Sequence, residues 1–562
     1  MTKPFWMARL AGTQAEMGAQ HGRLVAREAA ALFGFYKTMP ERTLAGDMTG
    51  AAGAVGKVMV RALVTAWQYR LVRDRPVELA ERTRAFAEAV KKLVPEASVR
   101  DSLLAFATMD SLQNCVSLAA RGKVGPFAGT LPRAIVGAVP ACTSAMAWGH
   151  ASHDGELMFG RNFDFPGVGV WDAAPAFIAC APSGGMHYGF FATRGADTPV
   201  VTVVNEAGLV LAPHTRWHRD TTFGGAMIVD VVHEIARRAE TLEDAIRIAK
   251  ERPISSSWGI AIGSARERSG LVLEIAGRQV EVVRPVPGAS FLTCANSYRT
   301  PALQEREIAA TQAWSIHSDR RERRLRTLIE QRGEPLTPEA LARFLGDRQD
   351  GGIARHLGAV LAQPTNVHCA VVTPGLRKAL VGIDHAPVCE GRWAELRWEW
   401  SGATGGWELG VSCHVASGFT ARVRDDIAAP HDAATTAIYE AAQAYDNAHD
   451  VVSTLVALER AVTAAPHDPS LRMPAAWLAL EHDQPARALV HVEAGLDSET
   501  DPYRRGQLLL WGSRIAKRTG NEVLATRWVD ELARLGIAEL AAAAKRSFRG
   551  KPHVNLMMAD AY

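Results

Sequence analysis

The residues with the most chemical potential lie in one short stretch. Cys142 opens the run Cys142-Thr143-Ser144-Ala145-Met146-Ala147-Trp148, His153-Asp154-Gly155 follows, and Phe159-Gly160-Arg161-Asn162-Phe163-Asp164-Phe165 comes next. An Asp-Gly step supplies the positive φ that a tight turn requires, so two short apolar runs on either side of it predict a β-hairpin. Folding the second strand back along the first brings Arg161 and Asp164 beside the Cys142 sulfur, gathering a thiol, a cation and an anion in one small volume. The same stretch also fits a buried structural cysteine with a surface Arg-Asp pair, because free cysteine commonly serves as a small core residue.

The segment before Cys142 adds a second possibility. Gly122, Gly125, Pro126, Gly129, Pro132 and Gly137 precede Pro140, which predicts an exposed loop ending just before the cysteine. A flexible loop that runs into a strand at a nucleophile is a context in which a chain can cut itself. If the thiol attacks the Ala141 carbonyl and the resulting thioester hydrolyses, Cys142 becomes a new N-terminus. Its freed α-amine has an ordinary pKa of roughly 7.7–8.0, against roughly 8.5 for the thiol. One residue then supplies both nucleophile and base.

The elements that must position this stretch follow from the rest of the chain. At 562 residues it is too long for one core, and its length predicts roughly two to four domains. Hydrophobic residues at 48% and charged residues at 22% describe an ordinary soluble composition. A formal net charge of +3 is too mild to suggest a nucleic-acid partner, which requires a clustered basic face. Seven cysteines without close pairing predict neither a disulfide framework nor a zinc ligand set, and a reducing, cytoplasmic setting fits them. The N-terminal Met1-Thr2-Lys3-Pro4-Phe5-Trp6 lacks the apolar core of a signal peptide. No run reaches the roughly 18 uncharged apolar residues of a membrane span. The nearest, Ala51 to Leu71, is interrupted by Lys57, Arg61 and Arg70. Its stripe of Val58, Leu63, Trp67 and Leu71 predicts a packed helix, with a membrane-surface helix as the minor reading.

Taken in order, residues 1–141 read as a mostly helical segment, with a Thr13-x-x-Glu16 capping box opening an early helix. From 142 to 425 the pattern changes to short β-rich runs (176–180, 188–191, 200–204, 209–211, 259–263, 270–274, 280–284, 367–373 and 379–383). Helical stretches fall at 227–238, 242–249, 320–329 and 338–345. This order predicts an α+β domain of two sheets with helices packed outside them. Residues 426–562 turn helical again. Asp468-Pro469 recurs as Asp501-Pro502 (501 − 468 = 33) and Trp477 as Trp511 (511 − 477 = 34), a spacing near the tetratricopeptide length. With only two units visible, the prediction is a helical appendage resembling such repeats.

Several of these motifs together resemble a known family. Cys142-Thr143-Ser144 followed by Gly160-Arg161-Asn162-Phe163-Asp164, and the upstream Gly12-Thr13-x-x-Glu16-Met17-Gly18-x-Gln20-His21-Gly22, look like the self-cleaving acyltransferases typified by acyl-coenzyme A:6-aminopenicillanate acyltransferase. These are N-terminal-nucleophile (Ntn) hydrolases, with choloylglycine hydrolase and penicillin V acylase as more distant relatives. The resemblance runs from about residue 10 to 390. It implies a four-layer αββα fold, a helical pro-segment cut between Ala141 and Cys142, and two chains that stay associated. It also implies Cys142 as nucleophile, Arg161 holding the thiolate and Asp164 anchoring the α-ammonium. Phe291-Leu292-Thr293-Cys294-Ala295-Asn296 matches the segment whose asparagine amide lines the oxyanion hole. Asn205-Glu206-Ala207-Gly208-Leu209 matches a strand turn of either structural or functional use. Thr215, beside His214, stands where relatives place an oxyanion donor, and Arg321 is the expected active-site arginine of a helix.

Other chemistries fail on their spacing. His233-Glu234 begins like a zinc-protease helix, but Arg237 stands where the second histidine belongs. No Gly-x-Ser-x-Gly elbow, phosphate-binding loop or complete Gly-x-Gly-x-x-Gly occurs. The resulting expectation is acyl transfer from a small acyl amide or acyl-coenzyme A through a Cys142 thioester, without cofactor or metal. Two alternatives stay open: an uncleaved thiol amidase, and a non-catalytic scaffold whose helical tail binds a protein partner.

Overall fold

A computed structural model describes residues 5–45, 50–120, 141–222, 224–308, 312–408, 419–427, 430–448 and 450–545. The expected loop at 121–140 lies outside them. The chain is mixed α+β. Its strands are β1 (Trp6–Gly12), β2 (Ala141–Ala147), β3 (Met158–Asp164), β4 (Pro175–Pro182), β5 (Tyr188–Thr193), β6 (Thr202–Asn205), β7 (Leu209–Thr215), β8 (Ser257–Ser264) and β9 (Ser269–Ala276), then β10 (Gln279–Val283), β11 (Phe291–Cys294), β12 (Gln349–Asp350), β13 (Ile353–Ala354), β14 (Asn366–Thr373), β15 (Lys378–Gly382), β16 (Trp393–Trp398), β17 (Gly405–Glu408) and β18 (Phe419–Arg424).

Nine strands form one sheet in the order β10-β9-β8-β7-β6-β5-β4-β1-β17, and seven form a second in the order β11-β2-β3-β14-β15-β16-β18. Side chains alternate between faces along a strand. Val204 and Val210 therefore face the second sheet while Val203 and Leu211 face away from it. Met146, Phe159, Val372 and Trp398 of the smaller sheet interdigitate with Phe177, Phe191, Val210 and Val272 of the larger one, forming the core between them. Outside the larger sheet lie Ile228–Arg238 and Leu242–Lys250. Gln312–Glu330 and Pro338–Leu345 cover the smaller sheet through Leu325, Ile329, Leu341 and Leu345.

The N-terminal segment contributes more than helices. β1 pairs in parallel with β4, and Arg9 in its middle is buried, donating to the Glu399 and Trp400 carbonyls. The capping box forms as expected, with Thr13 and Glu16 closing the start of Gln14–Leu24. That helix crosses Val77–Leu93 so closely that a Cβ on Gly18 would overlap the Arg82 carbonyl, and one on Gly22 the Phe86 carbonyl. Gly18→Ala is expected to lower stability by about 1–3 kcal/mol, the usual cost of overpacking. Urea unfolding checks it, and a midpoint equal to that of the native chain would count against so tight a crossing.

After β18 the helices pack in consecutive pairs: Ala433–Ala448 with Val451–Ala464, Arg472–Glu481 with Pro485–Ser498, and Pro502–Arg518 with Glu522–Arg534. The Trp477 and Trp511 rings meet edge to face at 6.0 Å. Buried ion pairs fasten this region to the sheets. Arg355 grips Glu499 with two 2.7 Å bonds, and Asp468 accepts from the His356 backbone N–H at 2.7 Å. Among the described residues no helix is long and apolar enough to cross a membrane.

Candidate active site

β2 and β3 form the expected hairpin, with Cys142 opposite Phe163, Ser144 opposite Arg161 and Ala141 opposite Asp164. Opposed residues in an antiparallel pair share a face, and alternate residues along a strand do too. Cys142, Ser144, Arg161 and Phe163 therefore face the larger sheet. Thr143, Asn162 and Asp164 face the covering helices. Arg161 and Asp164 both lie near the sulfur, as the sequence predicts, but they are three positions apart, an odd spacing that puts their side chains on opposite faces of β3.

On the inner face Arg161 is fully buried, and its Nη2 donates to the Cys142 Sγ at 3.2 Å and to the Pro213 carbonyl at 2.7 Å. Its Nε and Nη1 have no hydrogen-bond partner among the described residues. Burial pushes the Cys142 thiol up, with Arg161 as the largest opposing influence. Ser144 Oγ and His214 Nε2 lie 2.9 Å apart. Burial, reinforced by the cations Arg161, Arg216 and Arg321, pulls His214 far down and keeps its ring neutral.

The Cys142 backbone N–H donates to Asn296 Oδ1 at 2.9 Å. That oxygen also accepts from Arg321 Nη2 at 2.8 Å, while Asn296 Nδ2 donates to the Thr215 carbonyl at 3.0 Å. An amide nitrogen carries two N–H bonds, so its second hydrogen has no acceptor among the described residues. Asn296 is set at the end of β11, which pairs with β2, and its own N–H is fixed by Ser318 Oγ at 2.9 Å. Thr215 enters the site through its carbonyl at the end of β7.

Arg321 reaches Cys142 from the helix side: its Nη1 donates to the Cys142 carbonyl at 2.9 Å and to Thr143 Oγ1 at 2.6 Å. Its neighbours turn away, Arg320 to Asp501 and Arg324 to Asp347. Asp164 lies 3.9 Å from Arg321 and accepts from Asn366 Nδ2 at 2.9 Å, while its Oδ2 has no hydrogen bond among the described residues. Asn205 stays outside the group. It caps the helix end at Ala236 and Ala239 and closes its own turn through the Leu209 N–H. The first six of the seven residues of β7 separate that turn from Thr215, roughly 20 Å of strand. Thr143 and Ser144 come with the run that Cys142 opens, while His214 and Asn366 join the site from β7 and β14, where no local motif marks them.

Burial raises Asp164 from its usual 3.8 to about 6. The folded chain then holds this proton more tightly than the unfolded one, so the carboxylate opposes folding above pH 6 and ceases to do so below pH 4. At about 1.4 kcal/mol per pH unit, Asp164→Asn is expected to stabilise the chain by up to about 3 kcal/mol at pH 7.5. Denaturant midpoints at pH 7.5 and pH 4 check this, and the gain must vanish at the lower pH.

Cys142 lines an apolar cavity of about 90 Å³ together with Phe163, Phe165 and Trp171 and with Leu32, Tyr36 and Met109 of the N-terminal segment. Among the described residues no group of three His, Cys, Asp or Glu side chains is placed to hold a metal ion.

Comparison with curated proteins gives no match. Among solved structures, the Caenorhabditis elegans N-acylethanolamine-hydrolyzing acid amidase (NAAA) ortholog aligns at 15% identity with a TM-score of 0.31, over 42% of this chain and 94% of that one. The segment that carries Arg161, Asp164, Asn296 and Arg321, residues 151–380, matches the model of the acyl-coenzyme A:6-aminopenicillanic acid acyl-transferase family.

Proposed function

We propose that the chain is a self-processing cysteine Ntn hydrolase or acyltransferase of αββα architecture, acting on an amide or thioester through an acyl-Cys142 thioester. The observation that carries this reading is that one residue presents its sulfur to a buried guanidinium and its backbone nitrogen to a side-chain carbonyl, in the wall of an apolar cavity. The family matched by residues 151–380 supports it as well.

Maturation begins with Sγ attacking the Ala141 carbonyl carbon. The C–N bond to Cys142 breaks, the nitrogen takes the thiol proton, and water then hydrolyses the Ala141 thioester to a free carboxylate. The released α-amine occupies the position where Cys142 N now faces Asn296 Oδ1, with the open Asp164 Oδ2 as the anion for its protonated form. In turnover the amine takes the thiol proton as Sγ attacks the substrate carbonyl. The second Asn296 Nδ2 hydrogen donates to the tetrahedral oxyanion, and the proton passes to the departing amine or thiol. Water or an acceptor amine then attacks the thioester, its proton returns to sulfur, and the acyl group leaves as acid or amide. The apolar cavity receives the apolar part of the substrate.

Intact mass and N-terminal sequencing of the purified protein test the proposal. The expected result is two associated chains, the second beginning at Cys142, and one uncut chain for Cys142→Ala. A single native chain whose Cys142 resists both acylation by amide or thioester donors and alkylation would overturn it.

A further inference from the structure

The apolar cavity at Cys142 has a neighbour. A second cavity of about 220 Å³ shares Tyr36 and Ala105 with it, so these two residues stand on the wall between the sulfur's apolar chamber and a polar one. Three helices meet around the second chamber and each brings a cation: Lys37 from Ala26–Ala45, Arg61 from Gly50–Arg73 and Arg100 from Val99–Ala105. Among the described residues its acidic lining residue is Asp101, 2.7 Å from Lys37. Arg100 lies over the Tyr69 ring at 5.2 Å, and Arg61 pairs with no acid among the described residues. Two exposed guanidinium groups thus line the chamber without a carboxylate partner among the described residues. Guanidinium matches carboxylate and phosphate through paired N–H donors.

We propose that this chamber is a subsite for an anionic group, carboxylate or phosphate, carried by the substrate at the far end of the portion that fills the apolar cavity. The inference rests on acyl transfer at Cys142 and names the class of compound it acts on. The apolar chamber is smaller than the roughly 150 Å³ cavity that encloses a benzene ring, so the spacer between the scissile carbonyl and the anion is short. The chemistry is that of a short acyl compound with one charged end, and the charge belongs to whichever portion, acyl or amine, runs through the apolar cavity.

The test uses anilides of the four-, six- and eight-carbon dicarboxylic acids, each beside the neutral monocarboxylic anilide of equal length. A second set places the carboxylate on the amine side, with hexanoyl amides of 4-aminobutyrate and of butylamine. The expected result is at least a tenfold higher kcat/KM for the charged member of one set, weakened by high salt as ion pairing requires. In Arg61→Ala/Arg100→Ala the ratio of charged to neutral should fall towards one. Either set serving as the preferred one supports the subsite and tells which portion occupies it. Equal turnover of charged and neutral members in both sets, or a preference that survives in the double variant, overturns it. Failure of the underlying reaction looks different, since then neither charged nor neutral donors place an acyl group on Cys142.

Discussion

Arg161→Leu is expected to slow alkylation of Cys142 by iodoacetamide at pH 7 by about 10- to 1,000-fold, the range over which an opposite charge within a few ångströms shifts a titrating group. The reasoning lies in the balance of influences on the sulfur. Burial penalises the thiolate, and Arg161, whose Nη2 is 3.2 Å away, is the largest influence in its favour. Arg321 adds a smaller pull of the same sign, yet its own donors are committed to the Cys142 carbonyl, Thr143 and Asn296. Removing Arg161 leaves burial nearly unopposed, so the thiol holds its proton to higher pH and the alkylation profile moves to the alkaline side. Arg161→Lys keeps the charge and should fall between native and leucine variants. An Arg161→Leu profile that superimposes on the native one would sink the assignment of Arg161 to the thiolate, whatever its effect on turnover.

Much of this geometry was legible in the sequence where local rules act alone. The two apolar runs specify the strands of the hairpin, which brings Arg161 to the sulfur, although residues 148–157 join them as a ten-residue loop in place of the tight Asp154-Gly155 turn the sequence predicts. Opposite faces for Arg161 and Asp164 were legible too, because an odd spacing along a strand allows nothing else. Arg321 had a physical signal besides its family resemblance. Counting back from Leu325 and Ile329 in steps of four lands on it, which places it on the buried face of Gln312–Glu330. β1 was hidden because Arg9 sits inside a short apolar run, and what satisfies Arg9 is a pair of carbonyls some 390 positions away. The site partners His214 and Asn366, like the three cations of the second chamber, come from separate elements. Only tertiary packing brings them together, and no local spacing encodes that.

The motif around Gly18 and His21 finds its use in a buried cluster, and from it comes the second large effect. The close helix crossing sets Arg82 and His21 against Asp197: Arg82 Nε and Nη2 donate to its two oxygens at 2.9 and 2.5 Å, and His21 Nδ1 lies 2.9 Å from Oδ1. Arg82 Nη1 donates to the Tyr188 hydroxyl at 2.9 Å, and His233 Nε2 stands 2.7 Å from that hydroxyl. Asp197 also lines the Cys142 cavity, so this cluster ties the N-terminal segment to the cavity wall. If the chain is cut before Cys142, it becomes a bond between two chains. The guanidinium holds Asp197 far below the usual carboxylate range, so its stabilising effect is present at neutral pH and is lost only in strong acid. Arg82→Met strands the carboxylate in the interior and is expected to cost about 3–5 kcal/mol, as removal of one member of a buried pair does. The deficit should shrink as pH falls towards 4, where the stranded carboxyl takes up a proton. Arg82→Met/Asp197→Leu, which removes both charges, should recover a large part of the loss. Urea unfolding measures each variant, and size exclusion after processing shows whether the N-terminal chain stays bound. Native-like stability of Arg82→Met together with full retention of that chain would mean that the apolar contacts between the segments suffice without the cluster.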